Sequence, residues 1–130
     1  MIALNSSFDD NQPLNSFRKD EQPKSIDDLI LESKEVNLQQ LKEDRPNDFA
    51  FCKLPGAVFA GILKDGKRKG PGVMKYSNGR QYEGLWIDDV RHGKGFERYP
   101  GGNSYFGDFV KGKAHGQGVF KWANGQEYDG

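Results

Sequence analysis

The stretch Tyr82-Glu83-Gly84-Leu85-Trp86, followed by Arg91-His92-Gly93-Lys94-Gly95, decides the fold. Tyr82, Gly84 and Trp86 alternate with Glu83 and Leu85, the period of two that sends successive side chains to opposite sides of a strand. Working outward, the same pattern returns at a fixed step of 23 residues. Aromatics stand at Phe59, Tyr82, Tyr105 and Tyr128, each followed two residues later by a glycine: Gly61, Gly84, Gly107 and Gly130. The G-x-G pairs Gly70/Gly72, Gly93/Gly95 and Gly116/Gly118 keep the same phase, as do Tyr76, Tyr99 and Trp122. A repeat of this length sets the architecture before any single residue does.

Each of the roughly three copies reads as strand, turn, strand. Lys64-Asp65-Gly66-Lys67 and Lys111-Gly112-Lys113 are polar turns, and the G-x-G pair opens the second strand. Ser77-Asn78-Gly79, Pro100-Gly101-Gly102 and Ala123-Asn124-Gly125 then turn the chain into the next hairpin. One hairpin is marginal in water, so the units must join and share their faces. The glycine after each aromatic is expected where a ring lies across the backbone. The expected fold is mainly β: an elongated antiparallel solenoid of β-hairpins over residues 59–130.

These residues resemble the MORN repeat family, with its aromatic-acid-Gly-x-aromatic start, a basic residue or His before G-x-G, and an Asn-Gly turn. The second copy matches closely. The third, Tyr105-Phe106-Gly107-Asp108-Phe109 with His115-Gly116-Gln117-Gly118, puts Phe106 at the acid position, and the first puts Ala60 there and Leu63 at the second aromatic. The resemblance implies the hairpin fold and a binding or scaffolding role. Such repeats occur in ciliary radial-spoke proteins, junctophilins, plant phosphoinositide kinases and methyltransferases.

The segment before the repeats is a different object. Residues 1–58 carry 7 basic and 11 acidic residues, whereas the rest carries 12 and 8, so a neutral total hides a split. Residues 1–24 are polar and aperiodic, as expected of a disordered or extended arm. A helix is predicted over residues 25–44, capped by Ser25, favoured by Asp27 and Asp28 at its start and stopped by Pro46. Ile26, Leu29, Ile30, Val36 and Leu41 share its apolar face, with Leu31 and Leu38 extending it. That face must dock on the chain's own sheet, on a partner protein or on a membrane. Residues 45–58 are expected to be a linker that caps the solenoid.

Two ladders are candidate sites. Tyr76, Tyr99 and Trp122 form an aromatic ladder, either shared core or an open peptide-binding groove. Lys75, Arg98 and Lys121, one residue earlier, face the other side: a solvated face, or a surface for an acidic protein or an anionic phosphoinositide lipid. The acids Glu83, Glu97, Glu127 and Asp129 are expected to pair with Lys and Arg across strands.

Enzyme chemistry finds no support. Gly61-x4-Gly66-Lys67 and Gly107-x4-Gly112-Lys113 imitate a phosphate-binding loop, but Arg68 and Ala114 stand where Ser or Thr would hold magnesium. His92 and His115 lie one period apart with no Cys or acid in phase beside them, so no metal and no cofactor is expected. The balanced charge gives no reason to expect nucleic acid. Cys52 is the only cysteine, which suits a reducing compartment. Met1-Ile2-Ala3-Leu4 is too short for a signal-peptide core, and no apolar run approaches the roughly 20 residues of a transmembrane segment. The sequence thus points to a non-enzymatic adaptor that binds protein partners in a multi-subunit complex. A cytoplasmic place in the cytoskeleton or a ciliary axoneme is expected, with a peripheral membrane module as the alternative. Tyr128-Asp129-Gly130 opens a fourth copy, whose open edge is expected to be covered by a partner, another copy or further residues.

Overall fold

The computed structural model describes residues 26–130; the arm expected over residues 1–24 and the Ser25 cap lie outside them. Two short helices, α1 (Ile26–Glu32) and α2 (Leu38–Asp44), precede strands β1 (Phe49–Leu54), β2 (Ala57–Lys64), β3 (Lys67–Tyr76) and β4 (Gln81–Ile87). The chain continues through β5 (Val90–Arg98), β6 (Ser104–Val110), β7 (Lys113–Lys121) and β8 (Glu127–Asp129). All eight strands form one open antiparallel sheet in sequence order.

The turns fix this order. Between β2 and β3, Asp65 and Gly66 both take positive φ, and Asp88/Asp89 and Lys111/Gly112 do the same one and two repeats later. Two consecutive positive φ angles make a two-residue hairpin turn whose twist matches that of its strands. Asp89 tolerates its φ of 72° where the other copies have glycine. Its carboxylate there accepts from both the backbone N–H and the Nε of Arg68, at 2.8 and 3.1 Å. The register shifts by a bulge at the same phase in every copy, at Gly61/Leu63, Gly84/Trp86 and Gly107/Phe109.

A single sheet has two faces, and both are used. One carries Phe59, Met74, Tyr82, Trp86 and Phe109, all buried, with Leu63, Tyr76 and Tyr105 packed against them. The other carries Val58, Ala60 and Val73, covered by Leu29 of α1 and Leu38 of α2. The helices therefore dock on the chain's own sheet.

The structure differs from the expected single helix over residues 25–44, which is broken at residues 33–37. Glu83 causes the break. Its Oε1 accepts from the backbone N–H groups of Lys34, Glu35 and Val36 at 2.9, 2.7 and 3.1 Å, donors that a continuous helix would send to its own carbonyls. Asn37 then caps α2 through Oδ1, which accepts from Gln40 N–H at 3.0 Å. The break redistributes the apolar face: Ile26, Ile30, Val36 and Leu41 pack half-buried around Leu29 and Leu38, whereas Leu31 is 82% exposed. The expected linker also differs, because Phe49–Leu54 is a full strand paired with β2. Phe49 and Phe51 alternate onto the helix-covered face while Cys52 lies opposite Phe59.

Candidate functional site

The aromatic face is built by repetition. Phe59, Tyr82 and Tyr105 each lie over the second glycine of their own G-x-G pair, Gly72, Gly95 and Gly118, so that a Cβ there would fall within 2.6 Å of the ring. The hydroxyls of Tyr82 and Tyr105 donate to the carbonyls of Leu85 and Asp108, at 2.8 and 3.2 Å. Burial pushes the Tyr82 phenol well above its ordinary pKa. Between these rings stand Trp86 and Phe109, giving an edge-to-face chain from Phe59 to Trp86, Tyr82, Phe109 and Tyr105 with centroids 5.1–5.6 Å apart. Each such pair is worth about 0.5–1.5 kcal/mol beyond its buried area.

Arginines roof the chain in the same phase. Arg68 lies over Phe59 and Trp86, and Arg91 lies over Tyr82 and Phe109. Each also donates to a carbonyl of the next turn, Arg68 to Asp89 at 3.1 Å and Arg91 to Gly112 at 2.5 Å. Ala114 ends the series. Glu97, 2% exposed, collects Arg80, Arg91 at 2.8 Å and the Tyr99 hydroxyl at 3.1 Å. Burial works against the charge of Arg80, but its hydrogen bond and attraction to Glu97 raise its pKa overall. Burial and the same carboxylate raise that of Tyr99.

The expected aromatic ladder flanks this core. Tyr76 is half-buried under Arg80, Tyr99 stacks on Phe120 at 6.1 Å, and Trp122 meets Phe120 edge-on at 4.8 Å while remaining 40% exposed. The buried rings are instead those of the first strand of each copy and its bulge. We therefore expect Tyr82→Ala to cost about 3–5 kcal/mol in chemical denaturation and Trp122→Ala about 1 kcal/mol. Equal costs would contradict this division. Met74, Tyr76, Trp86, Val90, Arg68 and Arg91 line an open cleft of about 370 Å³ on this face.

The basic ladder corrects the reading of an open cationic surface at two of its three members. Lys75 Nζ pairs with Glu32 of α1 at 2.9 Å, and Arg98 bonds Glu83 Oε2 at 3.0 Å and the Glu32 carbonyl at 3.2 Å. The acid that meets them belongs to this chain. Lys121 is 56% exposed and reaches Glu127 at 3.4 Å. Sequence reasoning placed Glu83 among the acids that pair with basic residues, as it does with Arg98, but missed its hold on the backbone of residues 34–36. His92 is half-buried and His115 exposed, and among the described residues no group of three or more His, Cys, Asp and Glu is placed to hold a metal. No helix among them is long and apolar enough to cross a membrane.

No curated protein matches the chain. The family model for the MORN repeat matches residues 59–79, 82–104 and 105–127, three consecutive units in register with the hairpins β2–β3, β4–β5 and β6–β7. Such repeats are commonly found in scaffold proteins that bind membranes or other proteins, and are generally non-enzymatic modules. With its three repeats, its ring-on-glycine hairpins and its two-residue turns, the chain belongs to the MORN repeat family.

Proposed function

We propose that this chain is a non-enzymatic adaptor that holds a protein partner on its aromatic face within a larger assembly. One observation carries the reading: beside a rigid buried ring chain, the same face leaves Tyr76, Tyr99, Phe120, Trp122 and Tyr128 half-buried or exposed, with Trp122 and Tyr128 at 40% and 64%. Large rigid aromatics in contact with solvent offer area at little entropic cost and dominate protein interfaces. The anionic-lipid alternative is less favoured, because Lys75 and Arg98 already meet Glu32 and Glu83. A place in the cytoskeleton or a ciliary axoneme rests on the family resemblance alone, and imaging of the tagged full chain tests it.

The binding test is proximity labelling with the full chain and with a Tyr76→Ser, Trp122→Ser double variant. The variant should keep its β circular dichroism and lose at least tenfold of the labelled protein set. An unchanged set would overturn the reading, as would sedimentation of the chain with phosphoinositide vesicles that the double variant leaves intact.

A further inference from the structure

The helix-covered face continues past the helices. At the level of Glu83, cross-strand partners run from Phe51, Ala60 and Val73 through Glu83 to Phe96, Phe106 and Val119. The first part lies beneath α1 and α2, with Ala60 and Val73 at 0% exposure and Glu83 at 1%. The last three stand beyond them: Phe96 and Val119 are half-buried and Phe106 is 47% exposed, its ring 6.5 Å from that of Phe96. These three span two strand spacings, about 10 Å, which is the width of one helix.

The chain supplies its own template for what fits there. Leu29 of α1 packs with Ala60 and Val73, and Glu32, one turn later, pairs with Lys75, which lies two residues along β3 from Val73. The repeat carries Val73 and Lys75 to Val119 and Lys121, and Ala60 to Phe106. Beside this floor Lys121 is 56% exposed, whereas Lys94 pairs with Asp108 and Arg98 with Glu83, and Asp129 stands opposite Val119 at the repeat position that Glu83 holds in the template. We propose that Phe96, Phe106 and Val119 form a docking floor for an amphipathic helix of another polypeptide, which bears a carboxylate one turn beyond its apolar anchor and pairs it with Lys121. Its seat is in line with α1 and α2, on the sheet face opposite the aromatic groove, so the two sites stand or fall separately. Glu127 is a weak competitor for Lys121 at 3.4 Å between two half-exposed side chains.

The test uses the full chain and, as probe, a synthetic peptide of residues 26–44, followed by amide chemical shifts. Shifts should appear at Phe96, Phe106, Val119 and Lys121. Phe106→Glu and Lys121→Glu should each weaken the peptide at least tenfold, as should Glu32→Lys in the peptide. Phe106→Ser repeats the measurement should the charged variant fold poorly. Three outcomes overturn the proposal: shifts confined to Val58, Ala60 and Val73, which would mean exchange with the chain's own helices; unchanged affinity in the Phe106 variants; or concentration-dependent shifts at Phe106 without peptide, which would make a second copy the occupant.

Discussion

Glu83→Ala should release residues 26–44 from the sheet while the hairpins stay folded. The Glu83 side chain has 0% exposure, and its two oxygens serve five donors: three backbone N–H groups of residues 34–36, Gln81 Nε2 at 2.8 Å, and the Arg98 guanidinium at 3.0 Å.

 Removing this buried carboxylate takes the acceptor from the three N–H groups, Gln81 and Arg98, itself 28% exposed, at a cost of about 3 kcal/mol, and the undocked helices carry most of that cost. Limited proteolysis reads it directly: cleavage between Glu32 and Asn37 should accelerate at least a hundredfold, as expected of about 3 kcal/mol, while the β circular dichroism persists. Glu83→Gln keeps an acceptor for the three N–H groups and loses the charge that meets Arg98, so it should fall between. A Glu83→Ala chain as resistant as the parent would show that apolar packing alone holds the helices.

The second large effect comes from glycine. A Cβ on Gly84 would lie 2.5 Å from Gly95 Cα and 2.7 Å from the Lys94 carbonyl oxygen, both backbone atoms, with the Tyr82 hydroxyl also at 2.7 Å. The strands cannot part without losing ladder hydrogen bonds, and the ring cannot lift without exposing the core. Gly84→Ala should therefore cost about 3 kcal/mol or more and lower Tm by roughly 10 °C or more. Gly66 is the control. Nothing lies within 4 Å of its Cβ position, and only its φ of +79° resists a side chain, so Gly66→Ala should cost about 1 kcal/mol. Similar losses at the two positions would sink the ring-on-glycine account.

The hairpins, their turns and the opposition of the two ladders were legible because each depends on local chemistry repeated every 23 residues. Tyr82, Gly84 and Trp86 declare one face of β4 on their own. The break between α1 and α2 was not legible in that way, since its cause, Glu83, stands about 50 residues from the donors it binds. Asn37 followed by Gln40 was a local cap signal that the apolar pattern overrode. The placing of Trp122 outside the core was hidden for another reason. Tyr76, Tyr99 and Trp122 recur as faithfully as Tyr82 does, and period alone does not distinguish a ring pinned over glycine from one at the end of a strand. Lys75 and Arg98 likewise read as an exposed ladder until Glu32 was brought beside them.

Because the sheet is a single layer, the backbone that carries Glu97 toward one side carries Phe96 and Arg98 toward the other. The molecule is in effect a thin partition rather than a body with an inside. Whatever rests on the aromatic side and whatever rests on the helix side are separated by one strand thickness, with no linker to slacken between them. Two ligands held in this way would keep a fixed mutual orientation, set by strand twist rather than by tether length.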